Sequence, residues 1–254
     1  MSAKVFRKLS EIVEDFLLKK FTAVVVSLLV SGAVFAQSKM LDKSDAFYVY
    51  LKGSKTVLSE KDQLDYAKTF ESDIYNKYKN DEFEWDEQFS NIKDSLKTKV
   101  ENADMDSVYS ISTSVQFGDY NFANEGFNVT IGEGTFFPFD RFENWFYLER
   151  GSIFQKRMAL KLDSFEKYNF IGMPKAEAKT FLQSRKDSYG NVNREVTVQI
   201  KYKLASFDSA EYKSFKDLAL SNNYLPLVEI IESIDVYDTS NRNNIKKIGE
   251  LVRK

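Results

Sequence analysis

The side chains able to do chemistry in this chain are carboxylates, hydroxyls, amines and aromatic rings, because its 254 residues include no histidine and no cysteine. Without histidine there is no Ser-His-Asp triad, no HExxH zinc helix and no imidazole base near neutral pH. Without cysteine there is no thiolate nucleophile, no disulfide and no cysteine-bound zinc or iron-sulfur cluster. A pair of acids is still available, and a glycoside hydrolase needs no more than that. Glu143 and Glu149 lie in and just beyond the most aromatic stretch, and Glu232 falls in step with the apolar residues Val228, Ile230, Ile234 and Val236. A carboxylate on an apolar strand face has its charged form disfavoured and is suited to act as an acid. The more ordinary account of Glu232 is a bulge, or a face near the sheet edge where it reaches water.

The densest unusual feature is the segment from Phe136 to Tyr147, FFPFDRFENWFY, in which seven of twelve residues are aromatic. Such rings can form a stacking platform for sugars, a peptide or another apolar ligand, with Phe137, Phe139, Arg141 and Trp145 as the binding residues and Asp140, Glu143 and Asn144 adding polar contacts. They can equally fill a core, since aromatic side chains bury large areas wherever one is built. Exposure of Phe137, Phe139 and Trp145 separates the two.

No metal or cofactor is expected. The acids Asp81, Glu82, Glu84, Asp86 and Glu87 are explained by the start of a helix, where carboxylates interact favourably with the dipole. Asn102, Asp104 and Asp106 have the alternate spacing of a calcium loop, but Ser107 and Thr113 stand where such a loop needs Gly and Glu. Gly132-Glu133-Gly134 lacks the remaining residues of a phosphate loop and reads as a turn.

These residues are positioned by elements with clear signatures. Phe47 to Leu51 reads as a short strand. Ser59 and Asp62 form a capping-box-like start to a helix with Leu64, Ala67, Phe70, Ile74 and Tyr78 on one face. Trp85, Phe89, Ile92, Leu96 and Val100 mark a second helix, capped by Asp81 and Glu84, so that 59–101 is a helical hairpin. Beyond Asp106 the period changes to two: Tyr109 to Phe117 and Arg194 to Leu204 alternate strictly, as half-buried antiparallel strands do. Phe127 to Ile131, Trp145 to Glu149, Ile153 to Leu162 and Leu227 to Tyr237 are further strands, and Pro174 opens one more helix. The segregation of helices and strands predicts an α+β domain with a mainly antiparallel sheet.

The N-terminus differs from the rest. Lys4, Arg7, Lys8, Lys19 and Lys20 precede an uncharged run of 18 residues from Phe21 to Ser38. A basic region, an apolar core and a small-residue end make a secretory signal peptide, with cleavage expected between Ala36 and Gln37. If it is not cleaved, residues 21–38 are just long enough to anchor the chain in an inner membrane. The organisation expected is a signal segment over 1–36, a leader with a short strand over 37–58, and a single domain over 59–254 with its sheet in 107–254. With 36 Lys and Arg against 38 Asp and Glu, the chain lacks the basicity of a nucleic-acid binder.

Gly118-Asp119-Tyr120-Asn121-Phe122 leading to Gly126-Phe127, together with Arg194-x-Val196-x-Val198-x-Ile200, resembles segments of uncharacterised exported bacterial domain families. The resemblance implies no activity. The reading that results is an exported, periplasmic or secreted, non-enzymatic protein that binds an envelope protein, a peptide or a glycan through its aromatic segment. It touches a membrane only through an uncleaved N-terminus. A carboxylate-dependent glycan hydrolase of the cell envelope is the alternative.

Overall fold

The computed structural model describes residues 39–253 except 133, 144, 149, 242 and 243, so the signal segment, its cleavage site Ala36–Gln37, Glu149 and Asn144 lie outside the described residues. No helix among the described residues is long and apolar enough to cross a membrane. Among the described residues, six helices and a mixed nine-stranded sheet make an α+β protein.

The first helix, α1 (Lys43–Ser54), replaces the short strand expected at Phe47 to Leu51. Asp42 caps it by accepting the Asp45 amide at 2.8 Å, and six consecutive residues, Ala46 to Leu51, are buried. A helix covered on all sides shows no 3.6-residue stripe, so its aromatic and β-branched run imitates a strand. The helical hairpin is present, but its first arm, expected as one helix through Tyr78, is broken at Glu71 into α2 (Glu60–Phe70) and α3 (Ser72–Tyr78); α4 (Glu82–Glu101) is the second arm. Ser59 and Asp62 form the reciprocal capping box, and Asp81 accepts the amides of Phe83 and Glu84. Phe89, Ile92 and Leu96 are the buried stripe of α4.

The strands are β1 (Tyr109–Asn121), β2 (Gly126–Val129), β3 (Phe136–Pro138), β4 (Arg157–Leu162), β5 (Tyr168–Gly172), β6 (Glu195–Leu204), β7 (Tyr224–Asp238), β8 (Lys246–Glu250) and β9 (Val252–Arg253). They are ordered β3-β4-β7-β6-β1-β2-β5-β9, with β8 also on β7. All pairs are antiparallel except β4 with β7. Because β8 bonds β7 and β9, one residue on, bonds β5, the path β7-β6-β1-β2-β5 returns to its start. Leu251 seals the join, donating its amide to the Ile234 carbonyl at 2.9 Å.

Two helices flank the later strands: α5 (Lys175–Ser184), opened by Pro174 as its sequence predicts, and α6 (Ala210–Ser221). The stripe Tyr212, Phe215 and Ala219 of α6 packs on Ala159, Ala205 and Val228, so β7 is covered on both faces. Two expected strands are corrected. Trp145–Tyr147 is a single 3-10 turn, and Ile153–Gln155 is another, so β4 begins only at Arg157. In both places the apolar residues serve a tight turn, with Phe154 buried and Ser152 accepting its amide.

Candidate functional site

The site follows from the way β1 changes partners. Its first half pairs with β6 from Tyr109 to Gln116, and its second half pairs with β2 from Phe117 to Asn121. The β1–β2 hairpin is locked where the chain packs most closely: a side chain at Gly126 would strike the Ile171 carbonyl and the Phe170 ring. After Val129 the chain leaves β1 and runs on to become β3 against β4. The ladder therefore splays open, and among the described residues no strand pairs with β1 opposite β6 between Ile111 and Gln116. The lower end is closed by Lys39, whose carbonyl accepts the Ser110 amide at 3.0 Å.

Two clefts lie end to end in this splay. The first, about 380 Å³, is lined by Ser110 and Ile111 on one side and Pro138, Phe139 and Asp140 on the other, with Tyr202 also lining it. The second, about 390 Å³, is lined by Thr113, Val115 and Gln116 against Ile131 and Phe137, with Glu195 also lining it. Phe137 and Phe139 are half-buried, and Phe137 lies against Phe165 at a ring separation of 6.4 Å. Phe139 is fixed by its backbone: its amide donates to the Met158 carbonyl and its carbonyl accepts Arg157 Nε.

The aromatic segment thus divides its duties. Phe142 is buried in a cluster with Phe47, Phe70 and Phe154, at ring separations of 5.3 to 5.7 Å. Phe137 and Phe139 face the splay. Arg141 stacks 3.9 Å above Trp145 and donates to the Gln155 carbonyl, while its own carbonyl accepts Lys43 Nζ. Beside this pair Phe146 and Tyr147 are 60% and 75% exposed.

The three acids do not behave as a set. Glu143 is exposed. Glu232 does not lie on the apolar face. Lys201 pairs with Ser233 but Tyr202 pairs with Ile231, so Glu232 is the extra residue of a bulge, and it meets Lys203 at 2.6 Å near the surface. The bulge reverses the alternation before it and makes Glu229 the carboxylate on the core face. Glu229 is fully buried, and neither of its oxygens makes a hydrogen bond of good geometry, the Tyr202 phenol being the group that approaches it. Burial pushes its pKa well above the ordinary carboxylate value, opposed only by the Tyr202 phenol. The spacing Leu225, Leu227, Glu229, Ile231 carried this signal in the sequence.

A larger cleft of about 560 Å³ lies between α5, the end of β7 and β8, and includes Glu177, Phe181, Asp238 and Lys246. Asp238 is held by the buried Arg185, which also ties down the Asn193 and Glu195 carbonyls. Burial would raise the Asp238 carboxyl, but the Arg185 hydrogen bond prevails and takes it down to about 2. Among the described residues, no group of three acids is placed to hold a metal. Asp104, from the calcium-like spacing, accepts the amides of Asp106 and Ser107 and closes a turn.

The fold and splay describe an α+β protein with a cleft along an open strand edge. Residues 59–184 match the family described as Domain of unknown function (DUF4852). The match opens at the cap of α2 and closes with the last residue of α5, and it takes in the Gly118–Phe127 stretch but not Arg194 to Ile200. No curated protein and no solved structure matches the chain.

Proposed function

We propose that this is an exported, periplasmic, non-enzymatic binding protein that takes its ligand, an envelope protein, peptide or glycan, along the splay between β1 and the aromatic segment. The observation carrying this reading is that Phe137 and Phe139, half-buried rather than sealed in the core, face an unpaired strand edge across two clefts. A half-exposed apolar surface with a few polar groups beside it suits recognition. Export is supported by the basic N-terminus and the uncharged run from Phe21 to Ser38. The hydrolase reading needs two facing acids; Glu232 is matched with Lys203, Glu143 stands exposed, and Glu149 lies outside the described residues.

Cell fractionation with N-terminal sequencing tests the export half: a periplasmic product beginning at Gln37 is expected, and a cytosolic product with intact Met1 overturns it. Retention in the membrane with an intact Met1 instead establishes the anchor. For the binding half, a photo-crosslinking side chain at position 139 is expected to give adducts in the cell. The same group at Phe83, which is 89% exposed on α4, serves as the control and is expected to give none. Equal labelling at the two positions overturns the reading.

A further inference from the structure

The structure assigns the splay to an extended peptide that joins the sheet as a strand on β1; this inference rests on the binding reading above and specifies its ligand. The argument begins with the backbone. On β1 the Ser110 amide points away from β6, to Lys39, whereas the Phe117 amide points toward β6, to the Arg194 carbonyl. Amide direction alternates along a strand and the β1–β6 register is unbroken from Tyr109 to Gln116, so the amides of Ser112, Ser114 and Gln116 also point into the splay. A repeating row of donors and acceptors two residues apart is matched by another strand and by little else.

The opposite wall is blunted. Phe139 spends its amide on Met158, and of the two β3 residues whose backbones face outward, Phe136 and Pro138, the one nearer Phe139 has no amide. The β1 edge therefore supplies the backbone bonds, while Phe137 and Phe139 meet apolar side chains on alternate residues of the incoming strand. Charge gives it a further property. Asp42 and Asp140 line the first cleft and Glu195 the second, and the cation among these lining groups, Lys43, is already engaged with the Arg141 carbonyl. The fitting occupant is an extended segment with alternate apolar side chains and a Lys or Arg at the end that lies by Asp42 and Asp140.

The test uses eight-residue peptides that alternate Val, Leu or Phe with Thr and carry a Lys at either end, titrated into the purified protein by fluorescence anisotropy. Binding is expected, weakened at least about ten-fold by N-methylation of alternate peptide amides, and weakened several-fold when Glu replaces Lys. Ser114→Pro removes one outward amide and leaves the β6 ladder intact; it is expected to lose the peptide while Ser114→Ala keeps it, with circular dichroism showing both folded. Unchanged affinity for the methylated peptides and for Ser114→Pro overturns strand addition. If Phe137→Ala together with Phe139→Ala still abolishes binding, the broader binding reading survives that result. Failure of every peptide, with adducts still formed at position 139, also overturns strand addition and leaves the broader reading standing. Binding of a chito-oligosaccharide in place of the peptides overturns it in favour of a glycan. A dimer by size exclusion that Ser114→Pro dissolves overturns it in favour of a second copy of this chain.

Discussion

Two carboxylates buried on β7, Glu229 and Asp235, lie six residues apart and are accommodated in opposite ways. Asp235 is on the outer face, where Lys201 and Lys247 reach it at 3.1 and 2.6 Å. Burial alone would raise its pKa, but the hydrogen bonds from Lys247 and Lys201 outweigh that and lower it. The Lys247 ammonium is raised in return, by its hydrogen bonds to Asp235 and then Glu250. Glu229 is on the core face with no cation beside it and no hydrogen bond of good geometry, so burial prevails over the weak opposing contact of the Tyr202 phenol. Burial does not decide whether a carboxylate keeps its charge; the groups that enter the cavity with it do.

Breaking the compensated site has the largest expected effect. Asp235→Ala leaves Lys201 and Lys247 side by side, with Glu250 still on Lys247, and is expected to cost about 2 kcal/mol in urea unfolding. Relieving the uncompensated site works in the other direction: Glu229→Met is expected to stabilise by about 1–2 kcal/mol, since an apolar side chain of similar length fills the same space without unmet polar atoms. The two sites also carry opposite pH slopes. Because the folded pKa of Glu229 is raised, the unfolded chain loses this proton first as pH climbs past about 4.3, so its contribution falls with rising pH. The folded pKa of Asp235 is lowered, so its contribution is present above about 3.9 and is lost as pH falls through the folded value. Measured from pH 4 to 8, the Glu229 contribution in the parent protein is expected to decline as pH rises, and Glu229→Met to flatten that decline. The smallest effect belongs to Glu232→Gln, expected to change stability by less than about 0.5 kcal/mol, because its bond to Lys203 lies near the surface.

Periodicity made part of this fold legible before any coordinates. The Ser59–Asp62 capping box, the Phe89–Ile92–Leu96 stripe and the alternation of β1 and β6 all belong to elements with one wet face, and contrast between faces is what a period records. Helix α1 has no wet face, and its run of aromatic residues imitates a strand. Helix α6 is missing from the expected elements, although Tyr212, Phe215 and Ala219 stand at helical spacing between two strand-like runs. The bulge at Glu232 defeated the reading of β7 for a different reason: one extra residue exchanges the faces, so the parity that fits Ile234 and Val236 fails at Glu229. At the candidate site, composition singled out Phe137 and Phe139. The open edge of β1 was invisible, because alternation reports which side chains face the core and nothing about whether the backbone beside them has a partner.

The returning path of the sheet sets an order on events as the chain is made. Among the described residues, β1 and β4 are joined through β6 and β7, which are complete at Asp238, and residues 246–253 join β7 to β5 a second time. The stretch matched by the family ends at residue 184, before β6 and β7 exist. A chain emerging from its N-terminus therefore holds β1–β2–β5 and β3–β4 as separate pieces with unsatisfied strand edges until β6 and β7 appear and supply most of the long-range pairing, and residues 246–253 then close the path. Until β7 is made, such a chain keeps its two halves unjoined and can still be threaded as an open polypeptide.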